Sequence, residues 1–296
     1  MSKSFTILDP QQKGKPFAAA LIAAGWTAHD VNQWHPADVL LTHHDMPISN
    51  YRYAIDRYAE LGAKIVVFPD GFNPFTYWDG IHLPYKNDAA LIISEAHRAV
   101  MDTWRHPVPT HVIGWPWSPV CDFQPTSGAR VLFAPVHPDG NGYLPPADVQ
   151  TNRLVYAALL ELPGIELKVR YLGSLDQNGL QAENGVIFEA GVYDNSHQSI
   201  HAADVVIATG TYAAMAVALG KPVVMYSQNM PQTPHYDDYI GMLDYPFTWE
   251  KGIDMGNLIK IVCSGMQAAD DWKARFISHE MQPAALVEII EGICNG

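Results

Sequence analysis

The chain has 296 residues, of which 48% are apolar, with 18 Lys and Arg against 31 Asp and Glu. That length suits two domains better than one, and the net charge of −13 disfavours a broad footprint on nucleic acid or anionic membrane, leaving only a local basic groove open. No long apolar run occurs, MSKSFTILDPQQKGK lacks the apolar core of a secretory signal, and the scattered Cys121, Cys263 and Cys294 fit neither a disulfide framework nor a zinc site, so the expectation is a cytoplasmic protein without a membrane span.

FTILDP predicts a short strand, and KGKPFAAALIAAGW a glycine-containing turn opening an alanine-rich helix. Lys13 and Lys15 flank Gly14 in that turn, but QQKGKPF is not a P-loop. Solvated lysines are one reading, and a contact to an acceptor is the other. ADVLLTHHD reads as a strand ending in His43, His44 and Asp45. Neighbours on a strand point to opposite faces, so acceptor binding or simple solvation ranks above a metal site. SNYRYAIDRYAELG has helical periodicity, and the strand KIVVFPDG follows, with Asp70 at its end. FNPFTYWDGIHLPY, containing Trp78, is an aromatic stretch suited to stacking on a sugar or base. DAALIISEAHRAVMDTW then reads as a strand running into a helix, with Ser94 as a cap and Glu95, His97 and Arg98 on the outer face, and PTHVIGWPW as another strand.

CDFQPTSGAR, rich in Pro, Ser and Gly, is the expected linker, and the pattern restarts at RVLFAPVHPDGNGY. The second half predicts a strand over 130–136, a helix over 148–162, strands over 166–171 and 186–188, and a helix near 195–202. Residues 203–228, ADVVIATGTYAAMAVALGKPVVMYSQ, make one βαβ unit, and helices start at about 256 and 283. A right-handed crossover places Thr209, Gly210 and Thr211 at the carboxyl edge of a parallel sheet, where open α/β folds bind ligands. The turn reads either as plain helix capping or as an anion site on the first-turn amides. The expected domains are 1–124 and 125–280, with a helix over 281–296 packing back on the first.

AADVVIATGTYAAMAVALGKPVV resembles the donor-binding strand, turn and helix of B-type glycosyltransferases, and RVLFAPVHPDGNGY is similar to the strand and loop opening their C-terminal domain. KIVVFPDG and THVIGWPWSPV match the corresponding N-terminal strands. The branch it resembles is that of glycerophosphotransferases and nucleotide-sugar epimerases. The resemblance implies an α/β fold of two facing Rossmann-like domains with an interdomain cleft, the first binding acceptor and the second donor. It also implies Thr209, Gly210 and Thr211 at the donor diphosphate, with His137 approaching the same group. Tyr212 and the segment Glu189 to Tyr193 are its nucleoside contacts, and Gln228 and Asn229 lie where the family contacts the sugar. Asp70 stands where relatives carry histidine, and is the leading base candidate against a plain Asp-Gly turn.

The expected activity is transfer of a sugar from a nucleotide-sugar, UDP-linked or another nucleoside diphosphate, to a hydroxyl of a glycan, polyol or modified nucleobase. Asp70 and His137 are the catalytic candidates, Tyr193 and Gln228 join the T-G-T-Y turn on the donor side, and His44, Asp45, Gly14 and Trp78 line the acceptor side. No D-x-D occurs, so neither metal nor cofactor is expected, and Arg98, Arg130 and Arg170 are supplementary cations. A 2-epimerase and a non-catalytic nucleotide or sugar sensor are the alternatives.

Overall fold

The computed structural model describes residues 3–8, 13–43, 49–69, 86–103, 108–137, 144–191, 196–226, 245–265 and 267–296. The chain forms two compact units, Met1–Trp117 with Arg275–Gly296, and Ser118–Ala274. The first contains strands β1 (Ser4–Ile7), β2 (Thr27–His29), β3 (Val39–Thr42), β4 (Lys64–Val67), β5 (Ala89–Ile92) and β6 (Thr110–Val112), all parallel in the order β2-β1-β3-β4-β5-β6. Its helices are α1 (Lys15–Ala23), α2 (Ser49–Glu60) and α3 (Glu95–Thr103). Alternation along the strands divides the core. Phe5, Val39, Leu41, Val66 and Leu91 pack with Phe17 and Leu21 of α1, whereas Leu40 and Ile65 pack with Ile55 and Tyr58 of α2.

The second unit contains β7 (Arg130–Phe133), α4 (Pro146–Leu160), β8 (Glu166–Tyr171), β9 (Ile187–Ala190), α5 (Ser196–Ala202), β10 (Val205–Ala208), α6 (Gly210–Ala218), β11 (Val223–Tyr226), β12 (Thr248–Trp249), α7 (Met255–Ser264) and most of α8 (Gln267–Phe276). Its strands are again all parallel, in the order β12-β11-β10-β7-β8-β9. This is the doubly wound Rossmann order, with its switch point between β7 and β10.

Helix α9 (Pro283–Asn295) returns to the first unit, where Leu286 and Ile290 are buried in the same cluster as Phe17 and Leu21. Trp115 and the segment before α9 exchange backbone bonds, Trp115 N to His279 O at 2.8 Å and Met281 N to Trp115 O at 2.9 Å. The unit boundary falls at Trp117 and Ser118, seven residues before the sequence-based division at 124. Residues 121–130 are tied into the second unit. Cys121 N donates to Ala218 O at 2.7 Å, and Thr126 Oγ1 donates to Asp204 O at 2.8 Å.

Some element limits differ from the sequence expectation for physical reasons. Strand β7 stops at Phe133 because Pro135 has no N–H to give a ladder. Helix α4 starts two residues early, at Pro146, since proline suits the first helical position. Strand β2 and helix α8 were not expected: β2 is three residues long and largely exposed, while α8 is polar apart from the buried Ala269, Trp272 and Phe276.

An aspartate immediately before β3, β5 and β10 repeats one device. Asp38 N donates to Ser4 O while Ser4 N donates to Asp38 Oδ2 at 2.7 Å. Asp88 and Ile65 make the same exchange, with Ile65 N to Asp88 Oδ2 at 2.8 Å, and Asp204 and Arg130 make it again, with Arg130 N to Asp204 Oδ2 at 3.2 Å. Each carboxylate thereby satisfies an amide in the first two residues of a neighbouring strand, at the amino edge of its sheet.

Candidate functional site

The switch point of the second sheet brings two segments to one edge, residues 134–137 after β7 and the T-G-T turn after β10. Thr209 occupies the N-cap of α6 in extended conformation, φ −136°, yet its side chain makes no cap hydrogen bond. Gly210 has φ +65°, the left-handed region in which a side chain is disfavoured. Residues 209–212 are half-buried, and no acidic residue stands in the first turn of α6. The half-buried turn therefore carries the positive end of the helix dipole, with no acidic residue within the first turn of its own helix.

The helix that follows β7 at the switch point, α4, has the opposite character. Pro145 is its N-cap and Asp148 lies in its first turn. Asp148 is 2% exposed, and its Oδ1 has no hydrogen-bond partner. Burial pushes its carboxyl up to about 6. Tyr226, at the end of β11, donates from Oη to Ala134 O at 3.2 Å; burial raises its hydroxyl well above the ordinary range, and the Asp148 charge adds to that. Asn152 fastens the β7 loop, its Oδ1 accepting from Val136 N at 3.0 Å and its Nδ2 donating to Val136 O at 2.8 Å. His137, the next residue, is exposed.

Beside the T-G-T turn lies a satisfied ionic cluster. Arg170, with a side chain 5% exposed, donates to Glu189 at 2.7 Å, and Glu189 also accepts from Lys168 at 3.0 Å and Ser199 at 2.5 Å. Burial alone would raise the Glu189 carboxyl, but the bonds from Ser199, Lys168 and Arg170 outweigh it and lower it. The Arg170 guanidinium sits 5.8 Å from the Tyr212 ring centre, and Tyr212 Oη reaches Ser196 O at 3.5 Å. Arg170 thus steadies the start of α6 from within the protein. Arg130 is bound to Asp204 at the amino edge, and Arg98 to Glu95 at 2.8 Å.

In the first unit, Gly14 is the buried N-cap of α1 with φ −76°, an ordinary helical value. His43 is buried, 5.7 Å from the Phe68 ring. His97 is fully buried rather than on the outer face of α3: it bonds Ser94 Oγ at 2.7 Å and meets the Phe276 ring edge-on. Asp70, His44, Asp45, Trp78, Tyr193 and Gln228 lie outside the described residues. Among the described residues, no group of three or more His, Cys, Asp or Glu is placed to hold a metal ion, and no helix is long and apolar enough to cross a membrane.

Two parallel six-stranded sheets with flanking helices are shared with solved structures of low identity. A spinosyn rhamnosyltransferase, SpnG, solved with spinosyn aglycone, matches at TM-score 0.57 and 14% identity over 98% of this chain and 100% of its own. A Listeria monocytogenes protein assigned as a UDP-N-acetylglucosamine 2-epimerase matches at 0.59 and 11%, over 98% and 94%. The chain has the GT-B fold. A third GT-B structure, Staphylococcus aureus TarM with fondaparinux, α-GlcNAc-glycerol and UDP, matches at 0.51 and 11% over 87% of this chain, which spans 55% of TarM. No protein-family model and no curated protein matches the sequence. Asp148 of this GT-B chain was not among the residues expected from sequence, although a lone acid in PPADVQ two residues past a proline pair was its signal.

Proposed function

We propose that this chain moves a glycosyl group from a nucleoside-diphosphate sugar to a hydroxyl acceptor, with the diphosphate seated on the first turn of α6. The observation that carries the reading is the T-G-T turn itself: at the sheet's switch point, with Gly210 at φ +65°, no side-chain cap from Thr209 and no first-turn acid. The acceptor oxygen attacks the anomeric carbon, the bond from that carbon to the diphosphate oxygen breaks, and the nucleoside diphosphate leaves with the electron pair. A base takes the acceptor proton. Asp70 and His137 are proposed for the proton and for the leaving group respectively, and helix dipole and hydrogen bonds stand in for a metal, consistent with the absence of D-x-D. Tyr193 and Gln228 on the donor side, and His44, Asp45, Gly14 and Trp78 on the acceptor side, complete the proposal.

Calorimetric titration with UDP, GDP, CDP and dTDP, without added metal, tests the reading. Binding of one of them, weakened about tenfold in Gly210→Val, is expected, because a β-branched residue strains a left-handed position. No binding by any member overturns it. A second reading, 2-epimerisation of the same donor, is favoured by the Listeria structure, which matches nearly end to end over both chains. Incubating donor alone separates the two, since only an epimerase turns over without an acceptor.

A further inference from the structure

The crossover between β8 and β9 contains no helix: residues 172–186 run as turns and coil beside α4. Gly179, at φ +75°, brings this segment so close that an added Cβ would strike Val149, and Arg153 Nε donates to Gly179 O at 3.0 Å. Beyond that contact a groove of about 300 Å³ opens between α4 and the crossover, lined among others by Arg153, Tyr156, Leu160, Asp176, Gln181 and Glu183. Tyr156 is 6% exposed, its ring stacks at 14° on Phe133 of β7, and its hydroxyl has no hydrogen-bond partner. Burial, with the Glu183 charge in addition, raises that hydroxyl to about 12, so it stays a donor at every working pH.

We propose that this groove is a saccharide site, taking one neutral sugar ring independently of the nucleotide. A dry hydroxyl without a partner is costly, and a ligand oxygen would relieve it. The walls alternate donors with acceptors: the guanidinium of Arg153 and the hydroxyl of Tyr156, against the carboxylates of Asp176 and Glu183 and the amide of Gln181. Ala157, Leu160 and Leu180 supply an apolar side. That mixture suits a ring of hydroxyls on a hydrocarbon frame. A phosphate would meet two carboxylates, and an amine would meet Arg153. The volume lies at the small end of ligand sites, which fits a single ring and not a nucleotide. Gln181 and Glu183 are exposed side chains on the crossover, free to swing as the sugar reaches Tyr156.

Saturation-transfer NMR on the full chain, with methyl α-glucoside, methyl α-N-acetylglucosaminide and maltotriose as probes and excess UDP present, tests this. At least one probe is expected to bind. Its affinity should fall about fivefold in Tyr156→Phe, the loss of one hydrogen bond, and vanish in Ala157→Trp, which fills the groove from an exposed helix position. Tyr156→Phe should at the same time unfold at equal or higher temperature, because it removes an unsatisfied group; a merely structural tyrosine would leave binding unmoved. Absence of binding by all three probes, unaltered binding in both variants, or binding of spermidine in their place overturns the proposal.

Discussion

The two edges of the second sheet treat an aspartate in opposite ways. At the amino edge, Asp204 accepts from Ser127 Oγ at 2.6 Å, from the amides of Ala129 and Arg130 at 3.2 Å each, and from the Arg130 side chain. Burial alone would raise its carboxyl, but those bonds hold it down at about 2. At the carboxyl edge, Asp148 is sealed in with an oxygen unpartnered and pushed up to about 6. One acid stabilises the fold and the other costs it. Unsatisfied buried polar groups that persist are commonly found where a ligand or a reaction requires them, and Asp148 lies on the edge where α6 begins.

Removing the paired acid should have the largest effect. Asp204→Ala strands a serine hydroxyl and two backbone amides in a half-buried corner, and we expect a loss of about 3–4 kcal/mol at pH 7 in urea unfolding. The sign with pH follows from the folded value lying below the unfolded one. The contribution of Asp204 is fully present above about pH 4 and drains away as pH falls toward 2. A variant as stable as the wild type at pH 7 would break the comparison at its stronger end.

Asp148→Asn should move stability the other way. Its folded carboxyl titrates above the unfolded one, so the wild type loses stability as pH rises from about 4 through about 6 and is level beyond. The asparagine variant lacks that slope. It should gain about 1–3 kcal/mol at pH 8 and almost nothing at pH 4, since a shift of one pH unit corresponds to about 1.4 kcal/mol. If the carboxylate serves the proposed nucleotide ligand, the same variant should bind that ligand less well while unfolding later. Equal stability at both pH values would remove the contrast with Asp204.

Much of the scaffold was legible because parallel buried strands announce themselves. VLLT, KIVV, AALI and VVIA are short, apolar and bounded by turns, and each is a strand of the structure. The T-G-T turn was legible through its glycine between two hydroxyls at a strand end. What escaped was set by tertiary partners. No local pattern distinguishes Asp204, which meets a strand some seventy residues upstream, from Asp148, whose Oδ1 is left without a hydrogen-bond partner. The inward turn of His97 toward Phe276 is equally invisible, because the ring that receives it lies far along the chain.

The smallest effect comes from the first unit and decides whether burial or the backbone exchange gives the aspartate device its strength. Asp88 makes the same reciprocal pair with Ile65 that Asp204 makes with Arg130, but its side chain is 36% exposed and its second partner, Lys64, is 3.5 Å away. Asp88→Ala keeps the bond from residue 88 N to Ile65 O and loses one acceptor, which water can replace at that exposure. About 1 kcal/mol is therefore expected, read as a shift in urea midpoint. A cost equal to that of Asp204→Ala would mean that ordering the neighbouring strand's leading amide, shared by both copies, sets the strength of the motif, rather than the burial of the carboxylate and its extra donors.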